Sequence, residues 1–253
     1  MKKNADFVNQ LIEAASLLAK GRMAILGEGN ISGSLDQDRF LIKASGTSLA
    51  TLKPEHLVKV YREPFLEAIK SDREFDDSEM EQLLLDSRYD PDSLKPSVET
   101  LFHAWLLNLP AVNVVGHCHA IAINRILCSP AKNNFASRRL FPDQIVYCGP
   151  SSVLVKYVDP GLILAREIAR KVTLYIDTFG KPPRTILLEN HGIISLGQHH
   201  QEMISATLMA EKAAKIFAGA FSMGGPVFMK EEDVNRIDNR MDEAYRRKIA
   251  GSQ

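Results

Sequence analysis

Two histidine clusters constrain this chain more than any other feature. His117-Cys118-His119 closes the run Val112-Asn113-Val114-Val115-Gly116, and His191 closes Leu187-Leu188-Glu189-Asn190. The first run is β-branched and reads as a strand, on which side chains two apart point to one face. His117 and His119 therefore converge while Cys118 faces away, and His191, ending a second apolar run, supplies a third imidazole. Zinc held by three protein ligands keeps one position open for substrate or water, the catalytic rather than the structural pattern. Taken alone, a His-x-His pair is a weak signal that reads first as two histidines ending a strand.

The chain can bury a core around such a site. It has 253 residues, 45% of them apolar, which suits one enzyme-sized α/β unit spanning residues 1–253. Its 31 basic and 31 acidic residues cancel, so no global field draws it to nucleic acid or an anionic membrane, and any anionic ligand must be held locally. Three scattered cysteines, Cys118, Cys128 and Cys148, fit reduced thiols better than a disulfide framework. No apolar signal core follows Met1 and no segment has the length of a bilayer span, so the expected location is the cytoplasm.

Apolar spacing predicts helices over residues 7–20, 120–127, 161–179 and 201–221. Extended segments are expected within 24–35 and over 39–44, 144–147, 152–157 and 185–189, with Asp36-Gln37-Asp38 as a hairpin tip. Gly27, Gly29 and Gly33 do not follow the G-x-G-x-x-G spacing and precede a strand, which excludes a dinucleotide fingerprint. Residues 71–95 read as a solvated helix and loop. Pro96-Ser97-Val98-Glu99 opens an amphipathic helix through Leu107, with Ser97 as its N-cap, and this puts Glu99 and His103 on one face. His56, His199 and His200 stand in polar contexts and read as surface residues. The charged tail from about residue 230 reads as a solvated helix.

Taken in order, Pro96-Ser97-Val98-Glu99, His117-Cys118-His119 and His191-Gly192 resemble the class II aldolase/adducin family, from about Phe7 to about Phe221. That family includes fuculose- and rhamnulose-phosphate aldolases, ribulose-phosphate 4-epimerase and methylthioribulose-phosphate dehydratase. The resemblance implies a three-layer α/β/α fold with a mixed, mostly antiparallel central sheet, and a homotetramer with sites at subunit interfaces. It implies one divalent ion per subunit, zinc above other metals, on His117, His119 and His191. Glu99 then coordinates the resting ion and moves a proton, while His103 serves packing or orientation. The implied activity is aldol-type cleavage of a sugar phosphate or related sugar derivative through a metal-stabilised enediolate. Epimerisation, decarboxylation and dehydration are the alternatives, and an adducin-like scaffold is a further one.

The family holds substrate phosphate on turns that match Gly29-Asn30, Ser45-Gly46 and Ser97. Main-chain N–H groups at such turns bind an oxyanion without net protein charge. Three departures stand out. Val98 replaces a second serine, and Glu28 replaces a small or hydroxyl residue, so its carboxylate must turn away from a phosphate. Residues 139–143 contain no tyrosine where fuculose-phosphate aldolases carry a proton donor, leaving Tyr147, Tyr157 and Tyr245 as candidates.

Overall fold

Short strands, most of them paired antiparallel, dictate the architecture. The computed structural model describes residues 2–240. Helix α1 (Lys2–Lys20) is followed by strands β1 (Asn30–Ser34), β2 (Arg39–Lys43) and β3 (Leu57–Tyr61) and helices α2 (Glu63–Lys70), α3 (Asp77–Asp86) and α4 (Thr100–Leu106). Then come β4 (Val114–Cys118), α5 (Ile121–Leu127), α6 (Lys132–Ser137), α7 (Pro142–Cys148), β5 (Val153–Val155) and α8 (Leu162–Phe179). Strands β6 (Thr185–Leu188) and β7 (Gly192–Gly197) precede α9 (His200–Ala220) and α10 (Glu231–Asp238).

The seven strands form one sheet in the order β3-β2-β1-β4-β7-β6-β5. Every neighbouring pair is antiparallel except β5 with β6. Alternation along the strands separates two cores. Ile31, Leu41, Val114 and Cys118 join residues of α1, α5 and α9 on one face. Phe40, Ile42, Val115 and Ile194 join residues of α2, α4 and α8 on the other. The result is the expected three-layer α/β/α arrangement. Gly116 is part of this packing, because a Cβ there would stand 2.3 Å from the Met203 sulfur of α9.

Several local expectations change. Residues 144–147 are not extended but lie inside α7. Pro142 at its first turn presets a helical φ, Gln144 accepts the Leu140 N–H at 2.8 Å, and Ile145, Val146 and Cys148 are buried by the helix. Residues 24–29 are a looped turn, with Leu26 at φ +52° and Gly29 at φ +75°, so β1 starts only at Asn30. Regular helix in α4 starts at Thr100. Glu99 takes the N-cap position without a side-chain cap bond, so Ser97 is not the N-cap: its Oγ accepts the Glu99 N–H at 3.3 Å within the turn ahead of the helix. His200 is 6% exposed, not a surface residue, because α9 begins against the body of the fold. Of the charged tail, residues 231–238 are helical and residues 241–253 lie outside the described residues.

Candidate metal centre

The register of β4 against its neighbours builds the centre. His117 pairs with Asn30 of β1 on one side and Ile194 of β7 on the other. Alternation turns Cys118 into the opposite core, where burial pushes its thiol up to about 12 and leaves it a poor ligand. His119 is the first residue past β4, and its N–H is fixed on the Met23 carbonyl at 2.8 Å. His191 lies in the tight turn joining β6 to β7. That turn uses Asn190 at φ +55° and the His191 N–H on the Leu188 carbonyl, and Asn124 of α5 donates to the His191 carbonyl at 3.0 Å.

The three rings meet edge to face, with centroids 4.8 to 5.0 Å apart. Their candidate ligand atoms all lie within 4.8 Å of one another. The Nε2 atoms of His117 and His119 are 3.1 Å apart. Nδ1 of His117 donates to the Ile193 carbonyl at 3.0 Å, which turns its Nε2 toward the point shared with His119 and Glu99. Gly192 makes this approach possible. A Cβ there would stand 2.4 Å from the Cys118 carbonyl and about 3 Å from both the His117 and His119 rings.

Glu99, in helical conformation just ahead of α4, aims its carboxylate at the same point. Its Oε1 is 3.2 Å from His117 Nε2 and 3.6 Å from His191 Nε2. Oε2 accepts from the Asn30 amide at 3.3 Å. Burial opposes ionisation of Glu99, but the positive potential and hydrogen bond of His117, with His103 and His191 behind, hold it well below the carboxylate range. Burial lowers His191 to about 4, reinforced by His117 and opposed by Glu99. For His117 the balance reverses: burial is outweighed by the Glu99 charge and hydrogen bond, and its value is raised. Three imidazole nitrogens and a carboxylate facing one point are a chemically suitable donor set for zinc or a similar divalent ion.

His103 is set apart from this group. It is fully buried, its Nδ1 lies 2.6 Å from Ser32 Oγ, and its ring stacks on Phe102. Burial lowers it to about 3, partly opposed by Glu99, so it is neutral. Tyr147 belongs to α7, Tyr157 is an exposed residue beyond β5 bonded to Asp159, and Tyr245 lies outside the described residues.

The turns are joined to this centre unequally. Asn30 is 1% exposed and tied directly to Glu99. Gly29 is required where it stands, since a Cβ would be 2.7 Å from the His117 carbonyl. Ser45 and Gly46 are exposed, and the Ser45 N–H is already bonded to the Lys95 carbonyl at 2.9 Å. A bridge between Ala44 and Pro96 brings that turn beside Ser97. Sequence reasoning passed over Lys43. Its ammonium, 2% exposed at the end of β2, donates to the Thr47 and Ala44 carbonyls at 2.8 and 3.4 Å. Burial lowers it, partly offset by Glu99. The available signal was a lysine ending the apolar run Phe40-Leu41-Ile42. Glu28 does turn aside: one oxygen accepts the Ile25 N–H at 3.1 Å and the other lies 3.6 Å from His119 Nδ1.

With this arrangement established, residues 9–218 match the family described as Class II Aldolase and Adducin N-terminal domain. The chain belongs to this family. It is 28% identical over 211 residues to the uncharacterized oxidoreductase YuxG of Bacillus subtilis, covering 79% of this chain but 28% of that longer protein. It is 25% identical over 218 residues to the 3-oxo-tetronate 4-phosphate decarboxylase of Haemophilus influenzae, covering 85% of this chain and 87% of that one. The fold is similar to that of an L-fuculose 1-phosphate aldolase, with a TM-score of 0.71, 18% identity and coverage of 94% and 96%. At that identity the likeness concerns the fold alone. Among the described residues no helix is long and apolar enough to cross a membrane.

Proposed function

We propose that this chain is a zinc-dependent carbon–carbon lyase of aldolase type, acting on a sugar phosphate or related sugar derivative. The convergence of three imidazole Nε2 atoms and the Glu99 carboxylate carries this reading. His117, His119 and His191 hold the ion. When bound, it supplies Lewis acidity that lowers the energy of negative charge developing on substrate oxygens as a carbon–carbon bond breaks. Glu99 moves the proton through Oε1, while the Asn30 amide on Oε2 keeps the carboxylate aimed. Gly29, Asn30, Ser45, Gly46 and Ser97 surround the anionic end of the substrate.

Decarboxylation is the second reading, favoured by the resemblance to the Haemophilus influenzae decarboxylase over most of both chains. An adducin-like scaffold has no chemical need for three convergent histidines and a carboxylate. The reading extends to a cytoplasmic homotetramer with sites at subunit interfaces. Ile25, Leu26, Val98 and Ile121 are large exposed apolar side chains within three residues of Glu28, Glu99 or His119, the kind of rim a neighbouring copy covers. The decisive experiment is elemental analysis of protein purified without chelator, followed by a screen for cleavage and decarboxylation across sugar phosphates and sugar acids. Bound zinc with turnover on one class supports the proposal. No metal and no gain on adding zinc, manganese or cobalt overturns it.

A further inference from the structure

Each histidine of the centre needs a partner on its second nitrogen to fix which nitrogen faces the ion. His117 uses the Ile193 carbonyl. Among the described residues His119 has no such main-chain partner. Its Nε2 faces His117, and Nδ1, on the other side of the ring, makes no hydrogen bond among the described residues. The group placed there is the Glu28 carboxylate, whose Oε1 lies 3.6 Å away. That oxygen is held in place. The Glu28 N–H bonds the Ile25 carbonyl at 2.9 Å, and Oε2 accepts the Ile25 N–H at 3.1 Å, so the carboxylate is clasped by its own turn. The same loop docks on His119 through the Met23 carbonyl.

We propose that Glu28 is a positioning residue for the metal centre: its carboxylate keeps the His119 proton on Nδ1 and so turns the Nε2 lone pair toward His117 and His191. At 3.6 Å the action is electrostatic rather than a formed hydrogen bond. It also places a negative charge just behind the His119 ring, which strengthens His119 as a donor. This accounts for an acidic residue beside the Gly29-Asn30 turn, where a carboxylate has no use toward an anionic ligand.

The inference rests on the metal reading above, and zinc affinity separates the two. Zinc is titrated into metal-free protein against a competing chelator for wild type, Glu28→Gln and Glu28→Asp, with the melting temperature of each metal-free protein and the visible spectrum of the cobalt form as companions. Glutamine retains an oxygen for the Ile25 N–H but removes the charge. We expect it to weaken zinc binding by roughly tenfold or more, alter the cobalt spectrum and leave the metal-free melting temperature unchanged, while aspartate restores part of the affinity. Wild type that binds no zinc overturns the metal reading itself. Wild type and Glu28→Gln binding equally overturns the role of Glu28 alone. A loss of affinity matched by a lower melting temperature of metal-free Glu28→Gln reduces Glu28 to a turn cap and also overturns the proposal.

Discussion

The histidine centre and the glycine turns beside it occupy the same end of the sheet but are assembled to different degrees. In the centre, strand register places His117, one tight turn places His191, and Glu99 and Asn30 are already in contact. In the turns, Ser45 and Gly46 stand exposed, the Ser45 N–H is committed to Lys95, and the Ser97 hydroxyl is committed to Glu99. Side chains aimed by a strand end, a turn and a helix start converge within one chain, whereas main-chain anion sites depend on which N–H groups their surroundings leave free. Substitutions should therefore act abruptly at the centre and by degrees at the turns.

The largest effect is expected from the ligands. His119→Ala or His191→Ala should abolish tight zinc binding and bring turnover to background, because two imidazoles no longer close the open-site pattern. Stoichiometric zinc in either variant would break the comparison at its stronger side. Next comes Glu99→Gln, which keeps the size and the Asn30 contact but cannot exchange a proton. It should lose at least ~10²-fold in kcat and retain most of its zinc affinity. Near-normal kcat assigns the proton to another group.

Gly192→Ala tests the packing that lets the rings meet. The added methyl meets the Cys118 carbonyl and both imidazoles, an overpacking worth about 1–3 kcal/mol. Denaturant unfolding should show that loss together with weaker zinc binding. Unchanged stability would mean that the strand ends can part freely.

Acid should act on the same groups. His191 has a folded value of about 4 against 6.5 when unfolded. The unfolded chain therefore binds more protons between those limits, and the stability of the metal-free protein falls as pH drops through them. His103, lowered to about 3, extends the same trend. His117, whose value is raised, opposes this trend, so wild type is compared with His191→Gln, and an equal change in melting temperature from pH 6.5 to pH 4 in both would contradict a neutral, buried His191.

What the sequence revealed follows the same division. The β-branched run ending in His117-Cys118-His119 and the apolar run before His191 are local patterns, so the histidine centre was legible from them, whereas the layered sheet was legible only through the family resemblance. Strand β7 was not, because Gly192, Ser195 and Gly197 dilute its apolar run. Residues 144–147 misled through Ile145 and Val146, whose burial came from a helix that Pro142 starts. The burial of His200 and the turning of Glu28 to His119 depend on partners distant in sequence that no spacing rule supplies.

The smallest effect is expected at the turns, and it decides the substrate class. If Asn30, Ser45, Gly46 and Ser97 surround a phosphate, inorganic phosphate or sulfate should compete with substrate. Ser45→Asp should then raise KM several-fold with little change in kcat, since the added carboxylate lies near the ligand but is exposed and screened. Glu28 does not oppose this, because its carboxylate is engaged with Ile25 and His119. Val98 does weaken it, since the residue after Ser97 brings no hydroxyl, and the Thr100 hydroxyl is spent on the Ser97 carbonyl. The measurement pairs each phosphorylated substrate with its unphosphorylated analogue in wild type and Ser45→Asp. A KM rise confined to the phosphorylated member places the phosphate at these turns. Equal reaction of both members, with Ser45→Asp silent, removes phosphate from the pocket and makes an uncharged sugar or a sugar acid the substrate class, with the metal centre intact.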